Sequence, residues 1–381
     1  MTHKVIRSDG QGRVNAEIAF GLVRRGWIAE IISGDVDPEL ATLPGVRWHR
    51  VLTPRRLATA FLRYQWFAIA ARRALARLPR VDLLQLNGAI VYGGRGGVNI
   101  ANFVHSDWLQ SPFHPRQGKW SFNAIYQSLF TRLNAAWEKR AFARAERVVA
   151  VSESVRDALI ARAGVPADRI EVIPPGVDTE QFRPWRAGET NTLRDELKLS
   201  ADQFVMMFVG DIRSNRKNLD LVLKALPHCG QAVHLAVVGD AARSPYPALA
   251  NDLGVGMRVH FLGRRTTDLP ALLRGADVFV FPSHYDPFAL VVTEAMASGL
   301  PVITTGTVGA SCLIHDGENG LLLDNGTDAV ALARVIEELK TNPDRRNAIG
   351  LEARRMAEAH TWDAMAEAYE VLFRQVIANR R

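Results

Sequence analysis

The stretch Val278-Phe-Val-Phe-Pro-Ser-His-Tyr-Asp286-Pro-Phe-Ala-Leu-Val-Val-Thr-Glu294-Ala-Met-Ala-Ser-Gly299, running on through Leu300 into Pro301-Val-Ile-Thr-Thr305, decides the fold. Its apolar run Val278–Phe281 reads as a buried strand, which Pro282-Ser283 ends. A loop carrying Asp286 then leads into a helix that begins near Phe288 and stops at Gly299. Residues 301–305 read as the next strand. Strand, helix and strand in that order are the repeating unit of a parallel α/β layer.

The alternation continues on both sides. Strands are expected at Phe204–Val209, Val233–Val238 and 259–262, with helices at 329–339 and 362–377 near the end of the chain. In the first half, residues 4–8 read as a strand, 16–25 as a helix closed by Gly26, and 28–33 as a second strand. Thr53-Pro54 supplies an N-cap and a first-turn proline for a long helix to about residue 78. Further strands are expected at 83–86, 98–104 and 147–151. Between the two series lie Ile173-Pro-Pro-Gly176 and the irregular segment 183–191, the best place for a domain boundary. Two Rossmann-like domains facing each other across a cleft are the expected α/β architecture.

At 381 residues, 48% apolar and 23% charged, the chain has the composition of a soluble globular protein of about two domains. Met1-Thr-His-Lys4 runs straight into a short apolar stretch, and no later apolar run reaches spanning length, so a cytoplasmic protein is expected. Cys229 and Cys312 have no spacing suited to zinc or a disulfide framework and are expected to be buried small residues. The net charge of +7 is unevenly placed. Between residues 40 and 137 the acids are Asp82 and Asp107, against twelve arginines and Lys119. Such a field suits a nucleic acid, an anionic membrane surface or an anionic acceptor. No recognised nucleic-acid-binding motif accompanies it.

A helix N-terminus aims unpaired N–H groups and partial positive charge at whatever lies above it, and a diphosphate fits there. Asp286 just before the helix and Glu294 within it are placed to accept hydrogen bonds from sugar hydroxyls. In Val209-Gly210-Asp211-Ile-Arg213-Ser-Asn-Arg216-Lys217-Asn218 a strand runs into a basic loop. Fixed cations there stabilise charge developing on a leaving diphosphate without a metal, work that suits Arg216 and Lys217. Gly10-Gln-Gly12 is expected as a turn between the first strand and its helix, but Asn15 breaks the dinucleotide-binding fingerprint. His105 follows a strand, where parallel sheets display ligands. Asp35-Val-Asp37 has the form of a metal-binding pair, yet it falls in a short acidic turn before Pro38, and no metal site is expected. Each feature also has an ordinary structural reading: a capping Asp, a solvated Arg-Lys pair, a tight turn, a packed His.

Taken together, these residues resemble the retaining glycosyltransferases of family four, enzymes of GT-B architecture. Asp286 and Glu294 stand in the two carboxylate places of that family's Glu-x7-Glu signature. The resemblance implies that Glu294 binds the nucleotide ribose, that Asp286 contacts the transferred sugar, and that the backbone of Phe288, Ala289, Leu290 and Val291 holds the diphosphate. Ala289 replaces the family's usual Gly. Gly210, Arg216 and Lys217 match the basic loop, with Asp211 where a first Arg is expected and Arg213 as its candidate substitute. Gly10 and Gly12 resemble the acceptor-side glycine loop that faces the donor phosphate. His105 matches a His directed at the donor sugar and diphosphate, with Asp107 a weaker neighbour. Val149–Glu153, Val172–Asp178, Val238-Gly-Asp240 and Phe261-Leu262-Gly263 are similar to family segments, the last placing Leu262 beside the nucleobase. Cys312 stands where a frequent Gly-Gly-x-Pro-Glu pattern has its Glu.

The resemblance implies an acceptor-binding domain over 1–182, onto which a helix at about 361–381 packs back, and a donor-binding domain over 190–360. It implies a metal-independent hexosyltransferase that needs no cofactor, with a nucleotide-diphosphate sugar as donor, UDP favoured slightly over GDP. The acceptor would be a glycan, a lipid-linked sugar or a small molecule, as in the building of cell-envelope polysaccharide. Partners would be the nucleotide sugar and that acceptor, with no nucleic acid. Apart from the resemblance, the helix near 54–80 places Arg56, Arg63, Arg73, Arg77 and Arg80 within roughly 120° of one another at about 100° per residue, beside Leu57, Phe61, Tyr64, Trp66 and Phe67, so peripheral contact at the inner face of the membrane is expected. A nucleotide-sugar epimerase, a phosphorylase of the same fold and a non-catalytic nucleotide-sugar binding subunit remain alternatives.

Overall fold

The computed structural model describes residues 1–54, 59–89, 97–115, 122–186, 188–324 and 326–380. They form two units, Met1–Gly176 with Trp362–Arg381, and Val177–Thr361.

The second unit is built on a six-stranded, wholly parallel sheet. Its spatial order is Val259–Gly263, Val233–Val238, Phe204–Val209, Val278–Phe281, Val302–Thr305 and Leu321–Leu323. Numbered within the unit this is 3-2-1-4-5-6, the doubly wound order in which the direction of strand addition reverses between the first and fourth strands. Every residue of Phe204–Val209 and of Val233–Val238 is buried, as strands covered on both faces must be. The two pair in register from Phe204 opposite Val233 to Val209 opposite Val238. Each Val or Phe so buried contributes about 1.5–3 kcal/mol.

Helices cover the sheet, and their ends are chemically marked. Asp328 caps Ala329–Thr341 by accepting from the Ala331 amide at 2.8 Å, and Asn342 caps Pro343–Ala359 with Pro343 in the first turn. The latter helix meets the end of Leu290–Ala297 backbone to backbone. A Cβ on Gly350 would stand 2.2 Å from the Gly299 carbonyl oxygen. Arg354 of the same helix donates to the carbonyls of Ala297, Phe182 and Thr179 at 2.7, 2.8 and 3.0 Å. A cation thus sits at the negative end of the helix Leu290–Ala297.

In the first unit, Gln85–Asn87, Val98–Ala101, Arg147–Ala150 and Ile170–Val172 form a parallel sheet in that order. Ala29–Ser33 pairs with Val46–Arg50, and Lys4–Val5 with Asp35–Val36. The opening residues connect these pieces: the Thr2 amide donates to Ile32, and the Met1 amine to Gln85 at 2.8 Å. The helix Gly10–Arg24 packs against Trp362–Ala378 so closely that a Cβ on Gly21 would lie 2.2 Å from that of Ala366. Arg25 clasps Asp363 through two nitrogens, each at 2.8 Å.

Several expected elements differ. The first strand is only Lys4–Val5, because Asp9 caps a helix that already begins at Gly10. The four residues after Thr53-Pro54 lie outside the described residues, and the long helix described beyond them has another cap. The cap is Thr59, whose hydroxyl accepts from the Leu62 amide at 3.3 Å, and the helix is Ala60–Leu75. Arg56 and Leu57, placed on that helix by the sequence, lie outside the described residues. Strands Val46–Arg50 and Leu321–Leu323 and helices Pro38–Thr42 and Pro343–Ala359 were not anticipated. Cys229 is buried, its thiol pushed up to about 11 by desolvation, whereas Cys312 is exposed.

Candidate functional site

The strand order of the second unit reverses between Phe204–Val209 and Val278–Phe281, and doubly wound sheets bind ligands above the carboxyl ends of the strands at such a point. The loops leaving those strands are tied to each other. Asn218, in the left-handed region at φ 59°, donates through its side chain to Pro282 O at 3.0 Å and to Gly326 O at 2.7 Å. The Arg216 carbonyl accepts from the Ser283 hydroxyl and the His284 amide, each at 3.0 Å. Lys217 is thereby held in a short 3-10 turn, Asn215–Lys217, and is only 8% exposed.

The Lys217 ammonium pairs with the Asp286 carboxylate and lies 5.2 Å from the centroid of the Phe281 ring. Burial pushes the Lys217 pKa below its usual value, and the Asp286 charge opposes that shift. The second Asp286 oxygen accepts from the Phe288 amide at 3.2 Å. Backbone bonds secure the loop from below: Gly309 donates to Asp286 O at 2.8 Å and Ala310 to Phe288 O at 2.7 Å.

Between Phe288 and the helix stands Ala289, at φ 70° and ψ 79°. An L-residue with a Cβ is strained there by about 1–2 kcal/mol, whereas glycine is not. The helix Leu290–Ala297 follows, and the Leu290 and Val291 amides belong to its first turn, which has no intrahelical acceptors. Glu294 lies within the helix and is 7% exposed.

Gly210, Arg216, Lys217, Asp286 and Phe288 are therefore brought to one switch point. Leu262 is on the edge strand, two places from Phe204–Val209. Arg213 is engaged elsewhere: its guanidinium bonds both oxygens of Asp211, at 2.9 and 2.7 Å, and holds that carboxyl down at about 2. The expected substitute charge is thus neutralised by the residue whose presence called for it.

The first unit holds a cavity of about 660 Å³, lined among others by Gln11, Gly12, Asn87, Tyr64 and His105. His105 opens the short helix His105–Trp108 and is gripped by one buried carboxylate. Glu138, 2% exposed, accepts from the His105 amide at 2.8 Å and pairs with its imidazole Nδ1. That arrangement leaves Nε2 as the ring's other polar atom. Asp107 turns toward Arg162, at 3.9 Å. Two further side-chain atoms, His3 Nε2 and Asn87 Oδ1, are buried out of reach of solvent and without a hydrogen-bond partner among the described residues. Burial pushes the His3 imidazole down to about 4, so it is neutral at ordinary pH.

Gly10 and Gly12 do not form the expected loop. Both belong to the first helical turn, and the Gly12 amide donates to its cap, Asp9, at 3.0 Å. Gly12 is needed for packing, since a Cβ there would lie 2.9 Å from Ile6 O, while Gly10 has open space. Asp37 likewise caps the helix Pro38–Thr42 by accepting from Glu39 at 3.1 Å. Among the described residues no group of three or more His, Cys, Asp or Glu is arranged to hold a metal. Glu138, Asn218, Ser283, His3 and Asn87 escaped the sequence reading because their roles depend on partners distant along the chain.

Two family models match consecutive parts of the chain: Glycosyltransferase Family 4 over residues 8–181 and Glycosyl transferases group 1 over 189–356. The chain is similar to the D-inositol 3-phosphate glycosyltransferase of Xylanimonas cellulosilytica, 33% identical over 64% of this chain and 60% of the relative. The Acidothermus cellulolyticus protein of that name is 34% identical over 63% of this chain and 55% of the relative. The matches thus span 60% or less of these relatives' own length. Among solved structures, sucrose-phosphate synthase from Thermosynechococcus elongatus superposes with a TM-score of 0.81 at 23% identity, over 99% of this chain and 96% of that one. HepE of Anabaena, solved with UDP and glucose, gives 0.72 at 21%, over 98% of each. At such identities these structures speak for the fold alone.

Proposed function

The chain belongs to the family-four glycosyltransferases of GT-B fold, and from that premise we propose that it moves a sugar from a nucleotide-diphosphate donor to an acceptor hydroxyl, with retention at the anomeric carbon and without a metal. The observation that carries this reading is the buried Lys217 ammonium beside Asp286, at the N-terminal approach to Leu290–Ala297 and at the sheet's switch point. Lys217, Arg216 and the first-turn amides then bear the charge that develops on the departing diphosphate. Asp286 and Glu294 accept hydrogen bonds from donor hydroxyls, Asp286 on the sugar and Glu294 on the ribose. Leu262 borders the base. His105, fixed by Glu138, is the first unit's candidate polar group. The β-phosphate itself takes the acceptor proton, so no protein base is required.

The first unit is the acceptor domain in this reading, with Trp362–Ala378 as part of it. The 660 Å³ cavity, with Gln11, Asn102, His105 and Asn134 in its wall, suits a polyhydroxylated acceptor, whose hydroxyls these side chains can bond. The relatives' printed name makes an inositol phosphate one acceptor to try, beside glycans and lipid-linked sugars. HepE was solved with UDP-glucose, which makes that the first donor to test. The experiment is a thermal-shift screen of UDP- and GDP-sugars, followed by turnover with the stabilising donor and the product's anomeric configuration read by NMR. Stabilisation by no nucleotide sugar, or transfer with inversion, would overturn the reading.

A further inference from the structure

The helix Ala60–Leu75 turns Phe67, Ala68 and Ala71 inward, yet Leu62, Trp66 and Ile69 on its opposite side are 45, 43 and 52% exposed. At about 100° per residue these three and Arg73 fall within roughly 60° of one another. Trp66 is fixed in place: its indole N–H donates to Leu52 O at 3.0 Å, and Leu52 is itself 69% exposed. With that donor satisfied inside the protein, the ring can leave water without stranding a polar group. The helix Phe122–Arg144 repeats the pattern. Phe122, Ile125 and Leu129 are exposed along one side, and Arg132 and Arg140 continue it. The two helices touch through Phe61 against Trp137 and Tyr64 against Phe130, with ring centroids 5.7 and 5.9 Å apart.

We propose that these helices dock the first unit onto the surface of an anionic bilayer. Leu52, Leu62, Trp66 and Ile69 enter the headgroup boundary, while exposed Arg72, Arg73 and Arg77 meet lipid phosphates. The helix Ala60–Leu75 contains no acid to oppose them. A nucleic acid would engage the arginines but leave Leu62 and Ile69 in water, so the apolar stripe favours a bilayer. Contact is peripheral, since no helix among the described residues is long and apolar enough to cross a membrane. The same two helices supply Arg63, Tyr64, Phe130 and Trp137 to the wall of the 660 Å³ cavity. Docking therefore brings that cavity to the bilayer surface, where a lipid-linked acceptor presents its head; this last step rests on the acceptor reading above.

Co-sedimentation of the full chain with vesicles of phosphatidylglycerol and phosphatidylcholine, against phosphatidylcholine alone, tests the surface without donor or acceptor. Wild type is expected to bind the anionic vesicles at low salt and to lose most of that binding at high salt. The triple variant Arg72→Glu, Arg73→Glu, Arg77→Glu should bind at least about tenfold more weakly. Leu62→Ser with Trp66→Ser and Ile69→Ser should do likewise, with unfolding midpoints confirming that each variant folds. If the serine variant fails to fold, the arginine reversals, all at exposed positions, carry the test. Equal binding by wild type and the reversal variant, no binding by wild type, or tighter binding to single-stranded RNA than to vesicles would overturn the proposal. Turnover on a soluble acceptor is a separate readout, so failure of docking and failure of glycosyl transfer are told apart.

Discussion

Lys217 and Asp286 form an ion pair that is almost out of water, their side chains 10% and 14% exposed. Neither charge has bulk solvent to fall back on, so each depends on the other or on a ligand that takes its place. Removing one partner of such a pair costs about 3–5 kcal/mol, while removing both costs far less. Urea unfolding of Lys217→Met, Asp286→Asn and the double variant is expected to give a double variant more stable than either single one. Additive losses would mean that the two groups do not sense each other.

The backbone at Ala289 makes the opposite kind of prediction. With φ at 70°, Ala289→Gly relieves strain that outweighs the extra freedom glycine gains in the unfolded chain. A net stabilisation of about 0.5–1 kcal/mol is expected, read as a higher urea midpoint. A lower midpoint would contradict the left-handed conformation.

Glu138 holds His105 by amide and ring together, so Glu138→Gln should leave the fold nearly intact and loosen the imidazole. Small misplacements of a reacting group cost up to about 100-fold in rate. The expected signature is a lower kcat with the donor KM unchanged and a different pH profile. Unaltered kinetics would confine Glu138 to a structural role.

Chelation addresses the charge balance directly. With Lys217, Arg216 and a helix N-terminus proposed to oppose the diphosphate, turnover is expected to survive EDTA. Activity lost to EDTA and restored by magnesium or manganese would show that these groups do not suffice.

The Asp211 and Arg213 pair gives a pH dependence. Asp211 has a folded pKa of about 2, below its ordinary value of 3.8, so its contribution is present above pH 4 and disappears as the pH falls toward 2. Both side chains are well exposed, and screening limits the effect to below about 1 kcal/mol. Acid unfolding of Asp211→Asn should therefore lie close to wild type above pH 4 in shape, with a slightly shallower loss below it. A steeper loss in the variant would reverse the sign.

The parallel core of the second unit was legible because buried strands are written as unbroken apolar runs: Phe204–Val209, Val233–Val238 and Val278–Phe281 have the bounds the sequence predicts. Pro343–Ala359 was not, since its buried side holds one large apolar residue, Ile349, with the small residues Gly350, Ala353 and Ala357, which leave no apolar stripe in the pattern. The helix start at Thr59 was missed because Thr53-Pro54 satisfies the same local rule, and a cap is recognised only by the amide it reaches. Asp286 and Lys217 could be singled out from the chemistry of their own segments. Their pairing could not, because 69 residues separate them and only the sheet order brings their loops together.

The contact of Gly350 with Gly299 makes the helix Leu290–Ala297 behave as a lever with its fulcrum at the far end. Any side chain introduced at Gly350 must push the Gly299 carbonyl away, and at Gly299, where φ is 76°, a Cβ would meet Pro184 at 3.0 Å. Eight helical residues at about 1.5 Å each carry such a push roughly 12 Å, to the amides of the first turn. A mutation at a glycine remote from any charged group would then be read as a change at the amides proposed to hold the diphosphate, and a genetic screen for weakened use of the proposed donor should recover this inert-looking backbone crossing alongside the ionic residues.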